Sequence, residues 1–275
     1  MLRLFRDTLH IGLYADRIVL VRVAGGLSRR TEHTTVRVSG GAPAASAAAI
    51  LDLLQQLLKE PRWQGADARV QLSNALVYYA IVPASAQLLG AADEVALAQL
   101  KFRQMLGAGG AACEVRLGNL LSGADQIAAA LDTAFVERLR HLLQAADVRL
   151  CALEPLLMRA FNRVRRQLAG DDFWFALAEP GLLLLAHRQG GNWVSLAASA
   201  LQEPLAHLLP AQLQEARLMG GASADVQRVY VYAPGVDCSG CVSGPGMDLV
   251  QLTDLRRPDP LTAAQTRGAA LEALT

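Results

Sequence analysis

The stretch Thr8-Leu-His-Ile-Gly-Leu-Tyr-Ala-Asp-Arg-Ile-Val-Leu-Val-Arg-Val23 decides the fold. Thr8 to Tyr14 alternates apolar and polar residues, the period of a half-buried strand. Ala15-Asp16 makes a tight turn. Arg17 to Val23 then sets Ile18, Val19, Leu20 and Val21 in a row, as a strand buried on much of both faces does. Together they read as a hairpin. Thr31 to Val38, rich in Thr and Val, predicts a third strand. The loop Gly40-Gly41-Ala42-Pro43 leads into a helix from Ser46 to Leu58, with Ile50, Leu51, Leu54, Leu57 and Leu58 at helical spacing. Pro61 stops the helix, and Ala68 to Leu72 is a fourth strand.

The same order recurs after Gly170-Asp171-Asp172. Phe173 to Ala178 is a strand, Glu179-Pro180-Gly181 turns the chain, and Leu182 to His187 runs back. Gly190-Gly191 turns it again into Trp193 to Ala198. Glu203-Pro204 opens a helix, a normal place for proline, expected to bend or break at Pro210. Val226 to Tyr232 closes the second run. Two β-β-β-α-β runs predict a duplicated α/β protein.

Between them the first run carries an insertion. Leu76 to Val82 predicts a strand, Asp93 to Leu106 a helix, and Cys113 to Leu117 and Ile127 to Leu131 two short strands. A helix then follows Asp132, with Phe135, Leu139, Leu142, Leu143 and Ala146 on one stripe. Val148 to Ala152 is a short strand. Glu154-Pro155 opens a helix expected to run to Leu168, with Arg159, Arg163, Arg165 and Arg166 outward. Asp248 to Leu252 is a last strand before a helix from Thr262 to Leu274. The expected division is a first domain over 1–170, with its inserted subdomain at about 75–130, and a second over 171–275.

Composition narrows the function. The chain has 275 residues, 52% hydrophobic and only 5% aromatic, so the core is built from Leu, Val and Ala. A net charge of +1 with 19% charged residues is no electrostatic footprint for nucleic acid. Met1 to Asp7 has no apolar signal-peptide core, and no run approaches the roughly 18–20 apolar residues of a spanning helix. An intracellular chain without its own transmembrane segment, its 4 cysteines reduced, is the expectation.

Four local features carry a family resemblance. Ile11-Gly12-Leu13 followed by Arg17-Ile-Val-Leu-Val-Arg-Val23 resembles the opening hairpin of the actin-like ATPase superfamily. Pro83 followed by the Asp93–Leu106 helix is similar to a proline-then-helix insertion in its type IV pilus members. Ala145-Ala146-Asp147-Val148 into Leu153-Glu154-Pro155, then Arg159-Ala160-Phe161, is similar to their interdomain helix-strand-helix. Gln265-Thr-Arg-Gly268-Ala-Ala-Leu271 resembles their closing helix. The narrower resemblance is to the PilM-like proteins, with their mannose-sensitive pilus and type II secretion relatives. It implies an actin-like (ribonuclease H-like) fold of duplicated β-β-β-α-β domains with a small α+β insertion.

Actin-like ATPases hold phosphates between two hairpin turns that offer backbone N–H groups and small hydroxyl side chains. The corresponding turns here are Gly12 to Arg17 and Ala176 to Gly181. If any residues bind a nucleotide they are Gly12, Tyr14, Asp16, Glu179 and Gly181. Their chemistry is poor for it. The family's Asp-x-Gly-Ser/Thr run is missing from both turns, and Tyr14 stands where a small residue is wanted. Pro180 has no N–H, and Glu179 would repel phosphate. Asp16 reads as a turn former rather than a cation ligand.

Neither a catalytic constellation nor a metal site is predicted. Cys238-Ser-Gly-Cys241 is half of a zinc site or a redox pair in spacing, but no second pair follows. His187 and His207 are isolated in sequence, and the glycine-rich context makes the cysteines two loop thiols. Ser73-Asn74 reads as a hairpin turn. The arginines at 159, 163, 165 and 166, with Arg140 and Arg149 nearby, read as a solvated helix face, with an acidic or lipid docking surface as the alternative.

The resemblance thus implies a non-catalytic cytoplasmic scaffold of a type IV pilus or type II secretion-like platform, peripheral to the bacterial inner membrane. It implies docking of the N-terminal cytoplasmic tail of a membrane-anchored partner beside the inserted subdomain, with no cofactor expected. The competing expectation is an atypical ATPase switch that binds ATP and Mg. A sugar-kinase relative is disfavoured, because Asp171 and Asp172 precede their strand rather than end it.

Overall fold

The computed structural model describes residues 6–25, 31–38, 47–84, 90–118, 125–220, 228–243, 246–254 and 259–264. The expected loop at Gly40 to Pro43 and the closing motif from Gln265 to Leu271 lie outside them. Two compact units form. The first is Met1–Val77, Thr133–Arg159 and Arg256–Thr275; the second is Tyr78–Asp132 and Ala160–Leu255.

In the first unit, β1 (Thr8–Leu13) and β2 (Arg17–Val23) pair antiparallel, with Leu13 opposite Ile18. β3 (Thr31–Arg37) extends the meander along β2. The chain then crosses through α1 (Ala47–Leu57) to β4 (Asp67–Leu72), which lies parallel to β1 on its other side. α1 buries Ile50, Leu51, Leu54 and Leu57, the face its spacing predicts. After α3 (Thr133–Ala145), β8 (Arg149–Pro155) joins parallel to β4. The sheet order is β3-β2-β1-β4-β8.

The second unit repeats this plan. β9 (Phe173–Glu179), β10 (Leu182–Gln189) and β11 (Asn192–Ala200) form the antiparallel meander. α5 (Leu205–Gly220) crosses to β12 (Arg228–Tyr232), parallel to β9, and β13 (Asp248–Gln251) follows parallel to β12. The order is β11-β10-β9-β12-β13, the first sheet's order again. All seven residues of β9 are buried, as the centre of a covered sheet requires.

The insertion is a second small core within this unit. β5 (Tyr78–Val82), β7 (Gln126–Asp132) and β6 (Cys113–Leu117) form an antiparallel sheet. α2 (Ala91–Leu106) lays Ala98 and Phe102 on Ala80, Val82, Val115, Ala128 and Ala130. Gly110 is obligatory in the turn that follows, since a Cβ there would stand 2.3 Å from the Phe102 carbonyl oxygen.

Several boundaries differ from the sequence expectation. Ser73-Asn74 is no hairpin turn: Ser73 caps a single helical turn over Asn74–Leu76, its hydroxyl accepting from the Ala75 N–H at 3.1 Å. The strand expected from Leu76 therefore starts at Tyr78. α4 (Leu156–Val164) ends before Leu168, tightening into one further turn at Arg165–Gln167. α5 runs unbroken through Pro210, because Leu205, Leu209 and Leu213 bury one stripe on the sheet and hold both halves in line. Pro210 still removes the N–H that the Ala206 carbonyl would accept.

Two predictions follow from the second unit's packing. Pro210→Ala restores the missing helical bond and is expected to stabilise the protein by about 1–2 kcal/mol, read from urea unfolding. His187, on β10, is buried and stacked face to face on Trp174 at 4.2 Å between centroids. Burial lowers its pKa, Asp172 opposes that shift and Arg217 reinforces it. The unfolded chain then takes up a proton near pH 6.5 that the folded chain refuses. The contribution of neutral His187 is full above that pH and is lost as pH falls through the lower, folded value. His187→Phe keeps the stack and should lose less stability between pH 7 and pH 5 than the parent.

Candidate functional site

The expected nucleotide-contacting residues lie in two hairpin turns, one in each unit. In the first, the Tyr14 N–H donates to the Arg17 carbonyl at 2.9 Å and closes the turn. The Tyr14 side chain does not point to solvent. It folds back over β1, and a Cβ built on Gly12 would stand 2.6 Å from its ring. Gly12 pairs with Gln71 across the parallel β1–β4 ladder. Gln71 reaches up from that position and donates from Nε2 to the Tyr14 hydroxyl at 2.8 Å. Tyr14 is 3% exposed and Gln71 5%, so this bond is made away from water, where losing one partner is costly.

The turn thus closes on itself. Glycine at position 12 leaves room for the tyrosine ring. Asp16 clasps its neighbour: Arg17 donates from Nε at 2.9 Å and from an Nη at 2.7 Å to the two carboxylate oxygens. The Asp16 carbonyl accepts from the Val38 N–H at 2.9 Å. Both acceptor groups of Asp16 are occupied by protein, as a turn residue's would be.

The second turn is Pro180-Gly181, between Glu179 and Leu182, which pair directly. Gly181 has φ +84°, the left-handed position that follows proline in a type II turn. Pro180 offers no N–H, and the Gly181 carbonyl accepts from the Leu201 N–H at 3.0 Å. Glu179 is 1% exposed, a carboxylate at the end of a buried strand. The first turn is filled by the Tyr14 ring, and the second carries a proline without an N–H.

Beyond the two turns, the carboxyl ends of β4 and β8 are closed by Asn74. Its Oδ1 accepts from the Leu157 N–H at 3.0 Å, in the first turn of α4. Gln71 is not among the expected site residues, and Asn74 is expected only as part of a turn with Ser73. The signal was present, two amides bordering the apolar run of β4, but only the strand register gives them partners.

The expected arginine surface divides. Arg159 donates to Asp259 at 2.9 Å and to Glu154 at 2.8 Å, and Arg163 pairs with Asp254. Arg149 pairs with Asp67. Arg159 and Arg163 are structural ties rather than a solvated basic face; Arg149, Arg165, Arg166 and Arg140 are exposed. Among the described residues no cluster of three or more His, Cys, Asp or Glu is arranged for a metal. A groove of about 580 Å³ lies in the second unit between α5 and residues 240–243, 247 and 249, lined by Leu209, Leu213, Arg217, Cys241 and Met247.

No protein-family model and no curated protein sequence matches the chain. Solved structures do. A chain of the PilM–PilN type IV pilus biogenesis complex aligns with TM-score 0.59 at 14% identity, over 98% of each chain. The cytoplasmic domain of EpsL, an inner-membrane component of the Vibrio cholerae type II secretion system, aligns with TM-score 0.51 at 12% identity, over 97% of this chain and 95% of that one. A Bacteroides thetaiotaomicron protein with an actin-like ATPase fold and unknown function gives TM-score 0.54 at 10% identity, over 82% and 81%. With its two sheets of identical strand order and its small inserted sheet, the chain has the actin-like fold.

Proposed function

We propose that the chain is a non-catalytic actin-like scaffold of a type IV pilus or type II secretion-like assembly platform, working on the cytoplasmic side of the membrane. The observation that carries this reading is the Tyr14 ring, packed on Gly12 and bonded to Gln71 where an ATPase of this fold keeps room for phosphate. Asp16 tied to Arg17, and Pro180 in the second turn, support it. The alignments with a chain of the PilM–PilN complex and with EpsL supply the biological setting. No helix among the described residues is long and apolar enough to cross a membrane, which suits a protein recruited by a membrane-anchored partner.

The partner contact is proposed at the inserted subdomain, through the partner's N-terminal cytoplasmic tail. Three large apolar side chains there are left in water: Tyr78 on β5 at 48% exposed, and Leu100 and Met105 on α2 at 49% and 57%. Exposed apolar side chains of this size are the ordinary raw material of an interface.

Calorimetric titration with synthetic N-terminal tails of membrane proteins encoded beside this chain is expected to find a binder. Leu100→Glu and Met105→Glu should each weaken it at least tenfold without lowering Tm. Failure of every such tail to bind would sink the scaffold reading. Separately, millimolar MgATP is expected to leave Tm unchanged; a clear upward shift would instead support the nucleotide-switch reading.

A further inference from the structure

Cys238 and Cys241 stand on the same hydrogen-bonded turn. The Cys241 N–H donates to the Cys238 carbonyl at 3.0 Å, closing a four-residue β-turn over Ser239 and Gly240. Gly240 has φ +85°, the left-handed conformation that the third position of a type II turn demands. Asp237 holds the second position, its carboxylate oxygens accepting from the Ser239 N–H and hydroxyl, both at 2.7 Å. Gln251 donates to the Cys238 carbonyl at 3.2 Å and fixes the turn to β13.

This closure brings the two Cα atoms within about 7 Å, the outer limit of the span a disulfide bridges. Direction matters as much as distance. Both side chains pack on one apolar cluster, which also holds Trp174, Ala176, Leu205 and Leu209. A Cys241 thiolate disfavours ionisation of Cys238.

We propose that Cys238 and Cys241 form a reversible intramolecular disulfide, a modification site on the wall of the groove beside α5. The oxidant is a small-molecule disulfide. The thiolate of Cys238, the more exposed of the pair, attacks one of its sulfurs and releases one thiol, leaving a mixed disulfide on Cys238. The Cys241 thiolate then attacks the Cys238 sulfur and releases the second thiol. Two cysteine thiols are oxidised, one disulfide is reduced to two thiols, and the Sγ–Sγ bond joins residues 238 and 241.

Burial, with the neighbouring Cys241 and Asp237, pushes the Cys238 thiol up to about 11. Few thiolates exist at neutral pH, so oxidation is slow there and rises close to tenfold per pH unit between about pH 7 and 9. Because Cys241 lines the groove with Leu209 and Leu213, the bond fixes the shape of that wall.

The test equilibrates the whole protein in glutathione redox buffers at pH 8, followed by acid quench, alkylation and trypsin. Both cysteines fall in one peptide, Val229 to Arg256, which carries no other cysteine. In the folded protein this peptide should become lighter by two hydrogens at a glutathione disulfide level at least tenfold below that needed in urea. Asp237→Ala, an exposed substitution that loosens the turn, should move the folded midpoint toward the urea value. A peptide that stays reduced, or that carries glutathione on each cysteine, overturns the proposal. So does equal oxidation in native buffer and in urea.

Discussion

The parallel ladder between the first strand of each unit and the strand that follows its crossover helix is the constraint from which the other features derive. An antiparallel meander alone leaves β1 and β9 at sheet edges. The helical return places β4 beside β1 and β12 beside β9, so that the hairpin's first strand becomes central and is buried on both faces. It also brings the carboxyl ends of parallel strands level, where an α/β sheet offers its binding crevice. In the first unit that register sets Gln71 across from Gly12 and beneath Tyr14. The same pairing sets the amide that the Tyr14 hydroxyl meets.

A filled turn of this kind is more than the loss of a motif. Tyr14 contributes a buried ring, and an aromatic of that size removes a large apolar area from water. Its hydroxyl is matched by an amide that would otherwise be stranded. Removing any one of glycine, tyrosine or glutamine exposes a defect in the other two: a void, a clash or an unsatisfied group. The arrangement is therefore built from residues that each presuppose the others. The second turn is built differently, on a proline and a buried glutamate.

Much of the fold was legible in the sequence because it rests on local pattern. The run Ile18 to Val21, the all-buried Phe173 to Ala178 and the stripe of α1 follow from periodicity alone. Local chemistry also led to the expectation that both turns suit phosphate poorly. What could not be read depends on register or on distant partners. Tyr14 and Gln71 are far apart in the chain and meet only once β1 and β4 are aligned. Arg159 and Arg163 look like an exposed basic face until Asp259 and Asp254 arrive. Pro210 predicts a break that the leucine stripe of α5 overrides, tertiary packing outweighing a local penalty.

The Arg159–Asp259 tie joins residues 100 positions apart within the first unit. Asp259 also accepts from the Leu261 N–H at 2.9 Å and is 3% exposed, while Leu261 and Ala264 are buried. After Arg159 the chain builds Ala160–Leu255 of the second unit before it returns to supply the carboxylate that Arg159 awaits. On the ribosome, the half that begins first is finished last. The second unit, continuous from Ala160 to Leu255 apart from its inserted sheet, can take shape while Arg159 still lacks its buried partner.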